Sequence, residues 1–166
     1  MNKQQNISVR KGTKTDLAAC LGLIQELAEY ERAPHEVTNT VAEMEREGFG
    51  QNPLFWFFVA EDNEEGIVGI ALYYFAYSTW KGRTLYLEDI VVTERHRRRG
   101  IGKLLFDAVA KAAHEAGAKR MAWQVLDWNE PAINFYQKIG ATLDAEWINC
   151  RFREEELQSY VRQLEK

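Results

Sequence analysis

The sequence contains the stretch Arg97-Arg98-Arg99-Gly100-Ile101-Gly102-Lys103 between two segments of different periodicity. Residues 85–92 before it are rich in β-branched and aromatic side chains, and apolar residues at helical spacing follow it. A turn from a strand into a helix points the free N–H groups and the positive dipole end of that helix at the turn. Glycines let an anion approach the backbone closely, and arginine and lysine supply charge-assisted donors. The stretch therefore predicts a pyrophosphate-binding loop.

Spacing separates this loop from two other phosphate-binding motifs. A dinucleotide fingerprint needs a third glycine where Leu105 stands, and an NTPase P-loop needs a hydroxyl residue where Leu104 stands. The pattern Arg97-x-x-Gly100-x-Gly102 instead resembles the Arg/Gln-x-x-Gly-x-Gly/Ala signature of the GNAT acyl-CoA N-acetyltransferases. This resemblance implies that residues 97–103 hold the diphosphate of the cosubstrate acetyl-CoA.

Length and charge limit the number of domains and the kinds of partner that the protein can have. The chain has 166 residues, and 46% of them are apolar. This length is sufficient for one domain with a substantial core but short for two domains. We therefore predict a single domain over residues 1–166, with its core in about 7–152. The formal net charge is −4 and the local positive charge lies within residues 95–103, so we predict no nucleic-acid partner. A nucleic-acid contact at residues 95–103 is the alternative that we rank last.

Three kinds of feature are missing from the sequence. No segment approaches the roughly 20 continuous apolar residues of a membrane span, and the polar residues 1–6 lack an apolar leader. These observations predict a cytoplasmic protein with no membrane partner. The histidines and cysteines are scattered without the spacing of a metal site, so we predict no metal: His35, His96, His114, Cys20 and Cys150.

Hydrophobic periodicity and turn residues predict the element order β-α-α-β-β-β-α-β-α-β. The expected strands are residues 7–11, 54–60, 67–77, 85–92, 120–126 and 145–152. The expected helices are residues 16–30, 41–47, 101–116, 131–139 and 154–164. This pattern indicates an α/β (mixed α+β) protein whose mixed sheet is flanked by helices. The GNAT acyltransferase fold implies about six or seven strands in that sheet.

Further motifs narrow the resemblance to the spermidine/diamine and thialysine N-acetyltransferase branch. They are Tyr30-Glu31, Gly48-Phe49-Gly50, Tyr73-Tyr74-Phe75, Tyr86-Leu87-Glu88-Asp89 and the segment from Asn129 to Tyr136. Ser78 stands where an acidic residue is usual in the diamine enzymes, which favours a thialysine-like substrate. The branch implies direct transfer of an acetyl group from acetyl-CoA to a primary amine of a small aliphatic polyamine or a lysine-like amino acid.

The resemblance also implies catalytic roles. An alkylammonium, with a pKa near 10, must lose a proton before it attacks a thioester. Glu88 is implied to draw the ammonium in and to accept its proton through water, and Tyr136 to protonate the departing thiolate. Because adjacent strand residues face opposite sides of a sheet, we expect only one of Glu88 and Asp89 to face the reacting centre. Asp89 is then a substrate-side contact or a structural partner.

The remaining site residues are assigned by the same resemblance. Backbone N–H groups of Ile90, Val91 and Val92 are implied to meet the acetyl carbonyl and the pantetheine. Asn129 is implied to contact the pantetheine arm, where Ala132 replaces a serine that is common in the diamine branch. The implied acceptor pocket contains Tyr30, Glu31, Trp80, Glu88, Asp89 and Trp147.

The branch further implies a homodimer. Two functional alternatives stay open at this point. One is a protein acetyltransferase that modifies lysine or an N-terminal amine, and the other is a non-catalytic CoA-binding sensor.

Overall fold

A computed structural model of the protein describes residues 6–165. The chain divides into two compact units that join between Gln124 and Val125. The single domain over residues 1–166 stays a prediction. None of the described helices combines the length and the apolar character needed to cross a bilayer.

The first unit contains a sheet and three α-helices among its described residues. The strands are β1 (Ile7–Lys11), β2 (Trp56–Asp62), β3 (Gly66–Ser78), β4 (Gly82–Val92) and β5 (Arg120–Ala122). The helices are α1 (Leu17–Tyr30), α2 (Val41–Gly48) and α3 (Ile101–Glu115). The strand order is β1-β2-β3-β4-β5, with β4 and β5 parallel and the other pairs antiparallel. The predicted mixed sheet is confirmed, and α3 is the crossover that a parallel pair requires.

Local sequence signals set the ends of these helices. The N–H of Glu43 donates to Thr40 Oγ1 at 3.2 Å and the N–H of Thr40 donates to Glu43 Oε2 at 3.1 Å, which is a reciprocal capping box at the start of α2. Helix α3 begins directly after Gly100, which has a left-handed φ of 79°, and Gly117 follows its end with φ 69°. Glycine adopts this conformation without the steric cost that other residues meet.

The sheet of the first unit is covered on both faces. One face packs against α1 and α2 through a buried cluster of Leu17, Cys20, Leu23, Met44, Phe57, Val59, Ile70, Leu72 and Val91. On the opposite face Gly69 allows α3 to approach, because a Cβ there would lie 3.1 Å from Leu105 Cδ1 and 3.0 Å from the Val91 carbonyl oxygen. Strand β4 therefore runs between α1 on one side and α3 on the other.

The second unit contains helices α4 (Glu130–Lys138) and α5 (Glu154–Leu164). The predicted helix over residues 154–164 is confirmed. The predicted strand over residues 145–152 is wrong, because that segment has no regular secondary structure, and β5 ends at Ala122 rather than at residue 126. The described sheet thus has five strands, fewer than the predicted six or seven. Apolar alternation favours a strand only where a partner strand is present, and Trp147 and Ile148 are 74% and 88% exposed.

Candidate functional site

The loop over residues 97–103 has the backbone of an anion cradle. Arg98 and Gly100 both adopt a left-handed φ, of 62° and 79°, and α3 starts at the next residue. The first N–H groups of a helix have no intrahelical acceptor, and they lie at its positive dipole end. Outside its own turn of α3, a Cβ at Gly102 would have no neighbour nearer than Val92 Cγ2 at 4.0 Å. Packing therefore does not require glycine at this position, and the open space beside it fits a ligand that approaches the backbone.

Three cationic side chains of the cradle contact protein groups. Arg99 Nη2 donates to the Arg95 carbonyl oxygen at 3.0 Å, and Lys103 Nζ lies 2.6 Å from Asp107 Oδ2. Exposed contacts of this kind contribute about 1 kcal/mol or less, so an incoming diphosphate can displace them. Arg97 is held by more partners, because its Nε donates to the Val92 carbonyl oxygen at 3.0 Å and its guanidinium lies over the ring of Tyr30.

The edge of β4 that faces β5 is only partly paired. In the described part of the chain, β5 pairs with β4 through Thr84, Leu85 and Tyr86 alone. Residues 90–92 pair with β3 on their other side. The backbone of β4 beyond Tyr86 is thus not covered by a described strand, and unpaired edge groups of this kind can bind an extended ligand. This geometry supports the role predicted for Ile90, Val91 and Val92.

A β-bulge lies at the predicted catalytic carboxylates. Leu72 of β3 pairs with Asp89 of β4, and the next residue, Tyr73, pairs with Leu87. Glu88 is therefore the extra residue between two ladder positions. Bulges of this kind redirect side chains and occur next to active sites.

The bulge brings the two carboxylates to one face of the sheet. Leu72 and Tyr74 share a face of β3, so their partners Asp89 and Tyr86 share that face on β4. Glu88 is two residues from Tyr86 and faces the same side. The alternation of side chains, on which the expectation of a single carboxylate at the reacting centre is based, is shifted here by one position because of the extra residue. Which of the two faces the reacting centre stays a prediction.

A third carboxylate, that of Glu31, interacts electrostatically with Asp89. Burial, followed by the charges of Glu88 and Glu31, raises the pKa of Asp89 to about 6. Burial also raises the pKa of Glu31, which directly follows α1. On the same face, burial and then the charge of Glu88 raise the pKa values of the hydroxyls of Tyr74 and Tyr86. This concentration of negative charge suits a cationic ligand.

The structure brings some residues of the predicted acceptor pocket close together. Asp89 interacts with both Glu88 and Glu31 through their charges. Tyr30 is the last residue of α1, with 37% of its surface exposed. Trp80 lies in the turn between β3 and β4 and is 79% exposed.

Three predicted residues lie on or directly before α4 in the second unit. Asn129 Oδ1 accepts a hydrogen bond from the N–H of Ala132 at 3.4 Å, so Asn129 is the N-cap of the helix and Ala132 lies in its first turn. Tyr136 is 5% exposed, and burial raises the pKa of its hydroxyl to about 12. This hydroxyl therefore keeps its proton at neutral pH.

Known proteins that are similar to this chain identify its family. Residues 21–141 match the model of the Acetyltransferase (GNAT) family. The chain belongs to the GNAT family. Thialysine N-epsilon-acetyltransferase of Mus musculus is 38% identical over 160 residues, which cover 90% of this chain and 94% of that protein. Spermidine/spermine N(1)-acetyltransferase-like protein 1 of Homo sapiens is 37% identical over 158 residues, 90% of this chain and 23% of that protein.

A solved structure supports the fold of this GNAT chain. The integron cassette protein VCH_CASS6 of V. cholerae superposes with a TM-score of 0.77 at 21% identity, over 95% of this chain and 99% of that one. The predicted family, fold and N-acetyltransferase class are confirmed.

The GNAT loop has supports that were not identified from the sequence. Buried His96 is 1% exposed, and its Nε2 lies 3.3 Å from Glu65 Oε1, outside the alignment of a hydrogen bond. Glu65 Oε2 also lies 2.9 Å from Arg95 Nη2. Glu26 of α1 accepts a hydrogen bond from the N–H of Glu94 at 2.9 Å. These carboxylates lie far from the loop in sequence, and no motif marks them.

Proposed function

We propose that this GNAT enzyme transfers the acetyl group of acetyl-CoA directly to a primary amine of a small aliphatic polyamine or a lysine-like amino acid. The observation that carries the proposal is the bulge that puts Glu88 and Asp89 on one face, next to the charge of Glu31. Such a cluster attracts a protonated alkylamine. The similarity to relatives named for thialysine and spermidine/spermine acetylation supports the same class of acceptor.

The coenzyme would be held by the cradle and by β4. Backbone N–H groups of residues 97–103 would bind the diphosphate, with Arg98, Arg99 and Lys103 nearby, and the uncovered edge of residues 90–92 would bind the pantetheine. By family resemblance, Asn129 and Ala132 belong to the same binding region. When bound, acetyl-CoA supplies the acetyl thioester that the amine attacks.

The carboxylates and Tyr136 would move the protons. Exposed Glu88 meets solvent and accepts a proton from the ammonium through water. Asp89, with its pKa of about 6, is mostly ionised at neutral pH and holds the ammonium beside it. Tyr136 is proposed, by family resemblance, to give its proton to the departing sulfur. Tyr30, Trp80 and Trp147 are proposed as aromatic contacts of the alkyl stem.

The assembly and location of the enzyme are also proposals. We infer a homodimer from the resemblance to its branch and from the apolar side chains that the second unit exposes, among them Ile148 and Leu164. The cytoplasmic location stays a prediction.

A panel of amine acceptors tests the proposed function. Spermidine, spermine, putrescine, lysine, thialysine and a histone-tail peptide are assayed with acetyl-CoA by release of free thiol, and kcat/KM values are compared. The proposal requires a small amine to exceed the peptide. A preference for the peptide would favour a protein acetyltransferase, and CoA binding without turnover of any acceptor would favour a sensor.

Tyr136→Phe tests the proposed acid separately. We expect kcat to fall by about 10²-fold while the affinity for CoA is retained. Phe135→Leu, at the neighbouring position of α4, is the control for packing. An unchanged rate in Tyr136→Phe would remove the acid role.

A further inference from the structure

The side chain of Arg97, the first residue of the signature, is turned toward α1. Its Nε donates to the Val92 carbonyl oxygen at 3.0 Å, and its Cζ lies 4.9 Å from the centroid of the Tyr30 ring. Its Nη2 lies 3.8 Å from Glu26 Oε1. A planar guanidinium can hydrogen-bond at its edge and stack on a ring at the same time, which an ammonium cannot do. Arg97 therefore connects β4, α1 and the cradle.

Glu26 strengthens this connection at a second point. The same Oε1 atom that faces Arg97 accepts the hydrogen bond of the Glu94 N–H at 2.9 Å. One carboxylate oxygen thus holds both ends of residues 94–97, the segment that leads into the cradle. The side chains of Arg97 and Glu26 are 35% and 33% exposed, so the contact is partly shielded from water.

The end of α1 leads from this contact to the acceptor carboxylates. Tyr30 is followed by Glu31, and the charge of Glu31 acts on Asp89. Arg97 also binds the carbonyl of Val92, on the strand that carries Glu88 and Asp89. Every member of this series lies in the first unit, so the cradle and the carboxylate cluster are joined by contacts within one compact body.

We propose that Arg97 is a positioning residue that couples coenzyme binding to the acceptor side, through Glu26 and Tyr30 at the end of α1. The proposal rests on the proposed use of residues 97–103 for CoA. A coenzyme that fixes the cradle also fixes the last turn of α1, and by thermodynamic reciprocity an acceptor that fixes α1 raises the affinity for the coenzyme.

Hydrogen exchange with free coenzyme A as the probe tests the coupling without an acceptor. In the wild-type protein, saturating CoA is expected to slow amide exchange in residues 97–103 and, by at least about five-fold, in residues 26–33. Arg97→Gln keeps a residue that the GNAT signature permits but removes the guanidinium. It is expected to keep the protection of the cradle and to lose that of residues 26–33.

Two glutamate variants separate the link from a general effect of charge. Glu26→Gln keeps an oxygen that can accept from the Glu94 N–H but removes the charge that faces Arg97. Glu29→Gln makes the same change at an exposed position three residues further along α1. We expect only Glu26→Gln to reduce the CoA-dependent protection of residues 26–33 and to raise the KM of the amine more than it lowers kcat. Equal thermal unfolding of the two variants shows that both are folded.

Each result of these hydrogen-exchange experiments supports or overturns the proposed coupling. If CoA protects the cradle but not residues 26–33, or if Glu29→Gln acts like Glu26→Gln, the coupling is overturned while the proposed function stands. If Arg97→Gln loses the protection of the cradle itself, Arg97 is a phosphate ligand and not a positioning residue. If CoA protects neither region, the proposed function fails together with the coupling.

Discussion

The environment of Asp89 predicts how the activity depends on pH. Because burial and neighbouring carboxylates raise its pKa to about 6, the side chain is neutral below that pH and negative above it. If its charge holds the ammonium, kcat/KM for the amine falls as pH drops through about 6. Asp89→Asn is expected to lower kcat/KM at neutral pH by about 10-fold to 100-fold and to remove this limb of the profile.

The measurement is kcat/KM for the amine from about pH 5 to about pH 8. Glu88→Gln is the paired variant, since it removes the neighbouring carboxylate and leaves Asp89 in place. It should keep an acidic limb, shifted to lower pH because one of the charges that raise the pKa of Asp89 is gone. A limb that persists in Asp89→Asn would assign it to another group.

Gly102 offers a residue-scale test of the cradle. A Cβ there would meet no atom outside its own turn of α3 nearer than 4.0 Å, so Gly102→Leu is expected to fold with a stability close to that of the wild type. It should weaken CoA binding by about 10-fold or more, because the leucine fills the space next to the helix N–H groups. Gly102→Ala, which the signature permits, is the control. Isothermal titration with CoA measures both, and undiminished binding in Gly102→Leu would contradict the cradle.

Single residues also show what the sequence could and could not predict. The glycines and the arginines near residue 100 are adjacent in sequence, and their motif identified the loop. Glu88 and Asp89 were identified too, but their shared face depends on a bulge against β3 that alternation within β4 cannot reveal. Glu26 and Glu65 escaped detection because they reach the loop only through the fold.

At the scale of elements, Gly12 fixes how the end of β1 meets β2. Its N–H donates to the Phe57 carbonyl oxygen at 2.7 Å, and a Cβ would overlap the Phe57 ring. Gly12→Ala is therefore expected to lower the free energy of unfolding by about 1–3 kcal/mol. Gly22, in the interior of α1, has open space where a Cβ would lie, so Gly22→Ala should raise the free energy of unfolding by up to about 1 kcal/mol. Denaturant unfolding gives both values, and changes of the same sign would refute this account.

Asp16 joins the start of α1 to β1. Its carboxylate accepts hydrogen bonds from Arg10 Nη1 at 2.7 Å and from the Thr13 N–H at 2.8 Å, while Arg10 Nε donates to Glu61 Oε2 at 2.8 Å. The bond from Arg10, followed by those from Thr13, lowers the pKa of Asp16 to about 2 despite burial.

This lowered pKa predicts a loss of stability in acid. The folded state holds Asp16 ionised, so its stabilisation is complete above the ordinary carboxyl pKa near 4 and is lost as pH falls toward 2. Asp16→Asn is expected to cost about 2 kcal/mol at pH 7 and to flatten the decline in that acid range. Asp107→Asn, at a position whose side chain is 43% exposed, is the control. Urea unfolding at several pH values measures the difference, and an equal decline in Asp16→Asn would contradict the assignment.

Element boundaries were predicted best where the signal is local. The ranges of β1 and α5 agree with their apolar spacing, and Gly117 and Gly140 follow the ends of α3 and α4 as expected. Residues 145–152 have the alternation of a strand but no described partner strand. Sheet formation depends on a second segment, and no pattern within one segment supplies it.

At the scale of the whole molecule, the second unit exposes several large apolar side chains. Helix α5 carries an apolar stripe of Leu157, Tyr160, Val161 and Leu164, which are 52%, 48%, 44% and 70% exposed. Their spacing places them on one side of the helix. Large exposed apolar patches mark interaction surfaces, and for the proposed homodimer this stripe is the natural part of the interface.

Substitutions that introduce charge into the stripe are therefore expected to dissociate the proposed dimer. The double variant Leu157→Lys/Val161→Lys replaces two stripe residues with a better or equal helix former, so α5 itself should persist. We expect sedimentation velocity to show a mass of two chains for the wild type and of one chain for this variant. Gln158→Lys/Gln163→Lys adds the same charge at exposed polar positions of α5 and should remain dimeric. A wild-type monomer, or a dimer that survives both double variants, would exclude the stripe as the interface.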